Sequence, residues 1–310
     1  MSGSTQPVRG VELSRSAEVL QRAAPRFAKV AVGSAVRSYG RRTAGARSLP
    51  DYLIIGAKKG GTSSLANWLL LHPEVLRMFP PFQRLKSAHF FDINFHRGVD
   101  WYRGHFPARR AFRRESGAVV GEASPYYLFH PAAAARARAT VPEAKVIAVL
   151  RNPVTRAYSN YWDRVAAGAE SLPTFESALA AEEDRLAAVD GRRLVTDPGY
   201  YAFAHDHHTY RARGRYLEQL DRWLSEFPSS QVLILPAEEM YADPARTFGQ
   251  VEDFLGIRDD QSIDLKTYNQ RSKPPLATNT RRELAEYYRP YNEALYERLG
   301  RDLHWEDERG

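Results

Sequence analysis

The sequence predicts an α/β protein in which a central parallel sheet is flanked by helices on both faces. Two short apolar segments, Tyr52–Ile55 and Val146–Leu150, each run into a polar turn that an amphipathic helical pattern follows. Further apolar segments alternate with helical patterns, which indicates parallel pairing through right-handed crossovers. Because ligands bind beyond the carboxyl ends of such strands, we expect both polar turns at one binding edge.

The other elements follow from periodicity, caps and turn residues. Strands are predicted at Tyr52–Ile55, Val119–Glu122, Val146–Leu150 and Val232–Leu235. Helices are predicted at Thr62–Leu71, Pro131–Ala139, Arg156–Ala166, Phe175–Leu186, Arg215–Glu226, Pro244–Leu255 and Arg281–Leu299. The segment Asp190–His208 interrupts this alternation with Gly, Pro and aromatic residues, and we expect a long loop over the substrate cleft.

The turn after the first strand has the composition of a phosphate-binding loop. Backbone N–H groups at a Gly-rich turn, with the positive end of the next helix dipole, form a cradle for a dianion. Lys58 and Lys59 add charge, and Thr62 and Ser63 add hydroxyl donors. A Walker A loop has its lysine directly before the Ser/Thr, but counting from Gly56 that position holds Thr62. The turn therefore predicts a P-loop-like fold whose loop differs from that of an ordinary ATPase.

The second polar turn begins with Arg151, where a nucleoside triphosphatase places an Asp for Mg²⁺. An arginine cannot ligate a metal, but its planar fork suits a phosphate. Pro153 starts the next helix, and Arg156 and Ser159 fall at helical spacing, so we expect both to converge on the same anion. Two anion sites without an evident metal ligand imply a nucleotide with two separated phosphates, and no metal is expected.

These two turns resemble those of the sulfotransferases that use 3′-phosphoadenosine 5′-phosphosulfate (PAPS). Among them, the chain is most similar to the heparan sulfate N- and 3-O-sulfotransferases and their bacterial relatives. The matching segments are HFFD at His89–Asp92, GVDWYRGHFP at Gly98–Pro107, GEASPYYL at Gly121–Leu128 and NQRSKPPL at Asn269–Leu276.

The resemblance implies a complete nucleotide site. In the family, the first loop binds the 5′-phosphosulfate, an arginine and a serine bind the 3′-phosphate, and a C-terminal segment closes over the nucleotide. The corresponding residues are Lys59, Gly60, Gly61, Thr62 and Ser63 in the loop, Arg151 and Ser159 after the second strand, and Arg271 in the C-terminal segment, where Asn269 and Gln270 replace the first two residues of the family's Lys-Gly-Arg stretch. The neighbouring Lys58, Ser272 and Lys273 complete the predicted nucleotide-binding set. Lys59 is also the candidate catalytic cation.

The acceptor half departs from the family pattern. Ser87 stands where relatives carry the glutamate that acts as base, and Ala123 stands where they tend to carry a lysine. An imidazole acts as a base near neutral pH, so we predict His89 as the base, with Asp92 as its orienter or as a substrate contact. The alternatives are a core histidine with Asp92 or Glu122 taking the proton, or a Glu122 that only holds backbone N–H groups.

Composition bounds the protein class. The 310 residues contain no Cys, which excludes disulfides, thiolate catalysis and Cys-based zinc sites. No apolar run reaches transmembrane length and the N-terminus lacks a signal-peptide core, so a cytoplasmic protein without a transmembrane segment is expected. No nucleic acid partner is predicted.

The net charge of +7 belongs to residues 1–48, which hold nine Lys/Arg against two acids. We therefore divide the chain into a basic N-terminal extension at 1–48 and a sulfotransferase domain at 49–310. An amphipathic helix that contacts a membrane surface or a polyanion is one interpretation of the extension. A frayed or lightly docked arm is the other.

The sequence thus predicts a sulfotransferase that moves a sulfuryl group from PAPS to a hydroxyl or amine of a glycan or a small natural product. Two alternatives remain open at this point. A P-loop kinase-like phosphotransferase would depend on magnesium, and a nucleotide-binding module would show no turnover.

Overall fold

The computed structural model describes residues 26–83, 85–110, 117–268 and 272–306. Within them, five strands form one parallel sheet with the order β2-β3-β1-β4-β5. The strands are β1 Tyr52–Gly56, β2 Val75–Leu76, β3 Val119–Ala123, β4 Lys145–Leu150 and β5 Val232–Pro236. β1 and β4 lie side by side, so the turns that follow them meet at one edge of the sheet.

The helices alternate with these strands as the sequence predicts. They are α1 Arg26–Arg42, α2 Thr62–Leu71, α3 Val99–Arg103, α4 Ala133–Thr140, α5 Pro153–Ala166, α6 Phe175–Ala180, α7 Glu182–Ala187, α8 Gly191–Thr196, α9 Phe203–His207, α10 Tyr216–Glu226, α11 Ala237–Ala242, α12 Pro244–Leu255 and α13 Thr278–Leu299. In the described part of the chain, no helix has both the length and the apolar character needed to cross a membrane.

Both faces of the sheet are covered, which gives three layers. Along β1, Leu53 and Ile55 face one apolar cluster, whereas Tyr52 and Ile54 face the other. Successive side chains of a strand point to opposite faces, so a strand buried on both faces must be apolar throughout. One cluster contains side chains of α4, α10 and α13, and the other contains side chains of α2 and α12.

All four predicted strands are present and extend by about one residue at their ends. β2 was not predicted because two residues are too short for a pattern. The predicted helix Phe175–Leu186 is divided at Ala181 into α6 and α7. The prediction of a long loop at Asp190–His208 is wrong, because that segment contains α8 and α9.

The helix α1 packs against the body of the protein through close backbone contact. A Cβ atom on Gly40 would lie 2.5 Å from the carbonyl oxygen of Gly104, just after α3, so this crossing requires glycine. Next to it, the buried Arg47 donates to the carbonyl oxygen of Phe106 at 2.6 Å and stacks 3.9 Å from the ring centroid of Phe79. The end of the extension is therefore tied to α3 and to the segment before it.

Candidate active site

The first turn is shaped by two glycines that tolerate no side chain. A Cβ atom on Gly60 would lie 2.4 Å from the carbonyl oxygen of Val149 in β4. Gly61 has φ +111°, and a Cβ there would meet Met240 at 2.6 Å. The first N–H groups of α2 have no intrahelical partner by geometry, so this turn presents backbone donors at a helix N-terminus.

Both lysines of the loop are paired with carboxylates that the sequence did not single out as site residues. Lys59 Nζ lies 3.0 Å from Asp163 Oδ1 on α5, and Lys58 Nζ lies 2.9 Å from Asp206 Oδ1 on α9. Burial favours protonation of Asp206, but Lys58 and Arg213 outweigh it and hold the pKa of this carboxyl well below its ordinary value. No local sequence signal identifies these partners, because each comes from a distant helix.

The second turn presents Arg151 at the end of β4 as predicted. Asn152 caps the start of α5, where its side chain accepts from the backbone N–H groups of residues 154 and 155. Arg151 Nε donates to Thr155 Oγ1 at 3.2 Å, and Ser159 is half-buried one turn further on. Arg156 is fully buried and donates to the carbonyl oxygen of Tyr210. The expectation that Arg156 shares the anion with Ser159 is therefore wrong.

The C-terminal segment brings a third cation to the two turns. Lys273 lies with its Nζ 5.2 Å from the ring centroid of Tyr158, whose hydroxyl donates to the carbonyl oxygen of Pro274 at 3.0 Å. Burial lowers the pKa of Lys273 to about 8, and repulsion from Arg151 and Lys59 acts in the same direction. Three cations from three separate elements therefore converge on one region.

Of the remaining predicted residues in this segment, Ser272 is exposed. Arg271, together with residues 269 and 270, lies outside the described residues. The nucleotide role of Arg271 and Ser272 therefore stays a prediction.

The acceptor side contains a hydrogen-bonded imidazole and carboxylate. His89 Nδ1 lies 2.8 Å from Asp92 Oδ2, and the His89 side chain is 38% exposed while that of Asp92 is buried. When Nδ1–H of a neutral His89 donates a hydrogen bond to Asp92, the Nε2 lone pair is left available. Burial disfavours the imidazolium, but the hydrogen bond and charge of Asp92 outweigh it and raise the pKa of His89 above 6.5. The partner of His89 is thus a carboxylate rather than the backbone, and its ring is partly exposed rather than in the core.

The backbone of His89 is strained and held in place. Its φ of +48° is unusual for a residue with a side chain, and Lys59 has φ +71°. The N–H of His89 donates to Ser124 Oγ at 3.3 Å, and the side-chain amide of Asn94 donates to the His89 carbonyl oxygen at 3.1 Å. Such strain persists where surrounding contacts enforce it and is concentrated at functional sites.

Glu122 holds the segment that contains His89 through hydrogen bonds. It is buried, and its carboxylate accepts from the backbone N–H of Ala88 at 2.8 Å. Three hydroxyls also donate to it, from Tyr102 at 2.5 Å, Tyr127 at 2.9 Å and Ser124 at 2.8 Å. Burial raises the pKa of Glu122 even though these four donors oppose the shift. The four donors favour the second of the two roles left open by the sequence, in which Glu122 holds backbone N–H groups.

The histidine-rich segment at 205–208 is built into α9 and its end. His205 Nδ1 lies 2.6 Å from the hydroxyl of Tyr126, and burial lowers the pKa of His205 to about 3. Within the part of the chain that the structure describes, no group of three or more His, Asp or Glu side chains is arranged to hold a metal ion. Burial also lowers the pKa of His207 to about 4, and His207 Nε2 lies 3.5 Å from Oδ2 of Asp206, the partner of Lys58.

The loop, the converging cations and the supported histidine agree with a comparison of known families. The family model described as "Sulfotransferase domain" matches residues 49–287. The chain belongs to the sulfotransferase family. This confirms the predicted family, and the parallel sheet confirms the predicted α/β fold.

Curated relatives of this sulfotransferase include heparan sulfate enzymes. Heparan sulfate glucosamine 3-O-sulfotransferase 3B1 of Mus musculus is 31% identical over 287 residues, which cover 85% of this chain and 66% of the relative. Heparan sulfate glucosamine 3-O-sulfotransferase 6 of Homo sapiens is 33% identical, over 84% of this chain and 75% of the relative. The chain thus spans about two thirds of the length of the first of these relatives.

A solved structure shares the fold. The crystal structure of a sulfotransferase from Alicyclobacillus acidocaldarius is 31% identical, with a TM-score of 0.63 over 84% of this chain and 99% of that chain. The match to the family model begins at residue 49, so α1 lies before the region that identifies the sulfotransferase.

Proposed function

We propose that this sulfotransferase uses PAPS and that the two turns bind its two phosphate groups. The observation that carries this proposal is the convergence of Lys59, Arg151 and Lys273: burial lowers the pKa of Lys273, and the charges of Arg151 and Lys59 lower it further. Three mutually repelling cations are stabilised by a ligand with several negative charges. A nucleotide with a 5′-phosphosulfate and a 3′-phosphate supplies these charges at two separated points.

In the proposed reaction, a lone pair of the acceptor oxygen or nitrogen forms a bond to sulfur. The bond between sulfur and the bridging phosphate oxygen breaks, and 3′-phosphoadenosine 5′-phosphate leaves. Lys59 and the N–H groups of the first turn stabilise the negative charge that develops on the leaving oxygen. The protein supplies these cations from its own side chains, so the expected reaction does not require a metal.

His89 is the proposed base. Its Nε2 accepts the acceptor proton, while Asp92 orients the ring and stabilises the imidazolium that forms. Glu122 is assigned a positioning role, since its four hydrogen bonds hold the segment that precedes His89. Ser87, which replaces the family glutamate, has a hydroxyl 2.5 Å from Ser124 Oγ and joins the same network.

The proposed acceptor is a hydroxyl or amine of a glycan, with a small natural product as the alternative. The similarity to heparan sulfate 3-O-sulfotransferases supports a glycan. The similarity to an N-deacetylase/N-sulfotransferase of Homo sapiens, 30% identical over 82% of this chain, keeps amine acceptors within the proposal.

The central test compares nucleotides with and without the 3′-phosphate. The Arg151→Ala variant should lose about 2–3 kcal/mol of binding free energy for 3′-phosphoadenosine 5′-phosphate, as expected for a lost charged hydrogen bond. Adenosine 5′-phosphosulfate should bind the variant and the parent equally. If the variant keeps the full preference for the 3′-phosphorylated nucleotide, the assignment of this turn is wrong.

Turnover of PAPS or ATP distinguishes the sulfotransferase from the two alternative functions. Consumption of labelled PAPS with pooled glycan acceptors, unaffected by EDTA, supports the sulfotransferase. Magnesium-dependent ATP consumption would instead support a phosphotransferase, and nucleotide binding without turnover would support a binding module. Lys59→Ala should lower kcat by roughly 10²-fold, as for the loss of other transition-state donors.

Two predictions about the whole protein are also kept as proposals. The first is a cytoplasmic location, which cell fractionation tests. The second is contact of the basic extension with a membrane surface or a polyanion, which vesicle sedimentation of the full chain tests. An unchanged distribution after the arginines of the extension are replaced would contradict the second.

A further inference from the structure

A cavity of about 440 Å³ lies between the end of α1 and the segment that follows α3. Its lining residues are Tyr39, Thr43, Ala46, Arg47, Ala108, Arg109 and Arg110. None of them belongs to the two turns, to the C-terminal segment or to the segment that contains His89. The volume falls in the range of roughly 300–1,000 Å³ that is usual for small-molecule sites. The cavity is therefore large enough for a small ligand, and its lining residues are not those of the candidate active site.

Backbone contacts hold the two walls of this cavity together. Arg47 and Ala108 form an isolated antiparallel bridge, and the N–H of Ser48 donates to the carbonyl oxygen of Pro107 at 3.1 Å. Across the same junction, Arg109 Nε donates to the carbonyl oxygen of Arg47 at 3.3 Å. These contacts bring two arginines from opposite walls to one cavity, although their charges repel. The fold, rather than charge pairing, therefore places them next to each other.

Among the described residues, no carboxylate neutralises the buried Arg47. It is 3% exposed, and its guanidinium donates to the Phe106 carbonyl oxygen and, through Nε, to Thr43 Oγ1 at 2.7 Å. An arginine has five N–H donors, so within the described part of the chain these two hydrogen bonds leave three donors for a ligand. Burial lowers the pKa of Arg47, and the phenol of Tyr39 opposes the shift. Because a buried charge is costly unless it is paired, this guanidinium favours an anion beside it.

The other lining residues add charge and a small apolar surface. Arg109 and Arg110 are exposed, and the ion pairs of the described ranges include neither of them nor Arg47. None of the described lining residues is acidic. The planar fork of an arginine matches phosphate oxygens bidentately. Beside the arginines, Tyr39 is 55% exposed and Ala46 is exposed, so the cavity suits a strongly charged anionic group with a short carbon portion.

We propose that this cavity binds a phosphate monoester, whose phosphate group contacts Arg47, Arg109 and Arg110 and whose carbon portion packs against Tyr39. Such a group carries about 1.5 to 2 negative charges near pH 7, and three cations without an acid favour a dianion over a singly charged group. The inference goes beyond the proposed function, because it assigns a ligand to residues outside the nucleotide and acceptor sites. The same group occurs in soluble phosphate esters and in the headgroup of phosphatidic acid, and the experiment distinguishes these two sources.

The experiment measures binding of the full chain to two pairs of probes. Titration calorimetry compares glycerol 3-phosphate, a monoester, with glycerophosphoglycerol, a singly charged diester. Sedimentation compares phosphatidylcholine vesicles that contain phosphatidic acid with vesicles that contain phosphatidylglycerol instead. Tighter binding of a monoester than of its matched diester supports the proposal. Binding of glycerol 3-phosphate identifies a soluble ester as a sufficient ligand, whereas binding of phosphatidic acid alone identifies the lipid as the source.

Charge reversal at the two exposed arginines tests the cavity without removing Arg47, which also holds the backbone. The double variant Arg109→Glu/Arg110→Glu should weaken monoester binding by roughly tenfold or more, as expected for lost charged contacts. The double variant Arg41→Glu/Arg42→Glu is the matched control, because it makes the same change of charge at exposed residues of α1 outside the cavity lining. The control should bind the monoester nearly as the parent does.

Two further variants separate the cavity from surface charge and from the nucleotide turns. Ala46→Trp places an indole at an exposed lining position, so it should fill the cavity and abolish monoester binding without changing the net charge. Arg151→Ala changes a residue of the second turn and should leave monoester binding unchanged.

The proposal is overturned if neither monoester binds, if monoesters and diesters bind equally, or if the two double variants weaken binding equally. It is also overturned if Ala46→Trp binds the monoester as the parent does. Loss of monoester binding in Arg151→Ala would overturn it as well, because the phosphate would then lie at the second turn. None of these results concerns the turnover of PAPS, so the proposed function is decided by the nucleotide and turnover measurements alone.

Discussion

Lys59 Nζ lies 3.0 Å from Asp163 Oδ1, so the second lysine of the first turn is paired with a carboxylate of α5. Arg164 contacts the other oxygen of Asp163, and these two cations hold the pKa of the carboxyl below its ordinary value despite burial. If Lys59 binds a phosphate group as proposed, Asp163 competes with that group for the lysine.

Replacing Asp163 should strengthen nucleotide binding. Asp163→Asn removes a negative charge beside the proposed phosphosulfate position, and affinity for 3′-phosphoadenosine 5′-phosphate should rise roughly two- to fivefold, the scale of an ion pair near the surface. Titration calorimetry measures this change. Asp221→Asn, which breaks the exposed pair with Arg298, is the control and should leave affinity unchanged. Equal nucleotide affinities of the parent, Asp163→Asn and Asp221→Asn would contradict a role of Asp163 in nucleotide binding.

Nucleotide binding should be linked to proton uptake by Lys273. Its pKa of about 8 is lowered by burial and by three neighbouring cations, so a bound dianion should raise that pKa again. Near pH 8 the protein should therefore take up protons on binding, and affinity should fall as the pH rises further. Calorimetry in buffers of different ionisation enthalpy measures the uptake. It should decrease in Lys273→Met, where Lys58, whose pKa burial also lowers to about 8, accounts for the rest. It should stay unchanged in Lys266→Met, which changes an exposed lysine.

The pH dependence of turnover should report His89. The neutral imidazole is the active form of a base, so kcat/KM should rise with pH through a midpoint above 6.5, because Asp92 raises the pKa of His89. His89→Asn should abolish the rise and lower the rate by roughly 10²–10⁴-fold. Asp92→Asn should move the midpoint to lower pH. An unchanged pH profile of kcat/KM in His89→Asn would mean that another group takes the acceptor proton.

The raised pKa of His89 also makes the stability of the fold depend on pH. Because the folded pKa of His89 is raised, the stabilisation by the charged pair is fully present at low pH and is lost as the pH rises through that pKa. Melting temperatures of the parent and of His89→Asn should therefore differ most at low pH. The protein should be most active where this pair contributes least to stability.

Replacement of Glu122 should affect the stability of the protein more than its nucleotide affinity. Glu122→Gln places an amide donor among four donors and should lower the free energy of unfolding by about 2–3 kcal/mol. Denaturant unfolding measures this loss. Glu218→Gln changes an exposed carboxylate of α10 and should stay within about 0.5 kcal/mol of the parent. A Glu122→Gln protein of parental stability would contradict the positioning role.

The sequence by itself determined the sheet, the two turns at its edge and the residues that line them. These features are local, because the order strand, Gly-rich turn and helix is written in about 20 consecutive residues and forces Gly60 and Gly61 into positions that no side chain tolerates. The position of Arg151 is also determined locally, because this residue directly follows β4 in the sequence. For these residues, position along the strand already determines position at the binding edge.

Only the tertiary structure decided which side chains meet there. Asp163 and Asp206 lie 104 and 148 residues from their lysines, and no periodicity connects them. Arg156 shares a helix with Ser159, yet packing of α5 turns it into the core. The place of α1 depends on the close contact between Gly40 and Gly104, which the basic character of the helix alone did not predict. Contacts of this kind depend on how helices pack over the sheet, which a single sequence does not encode locally.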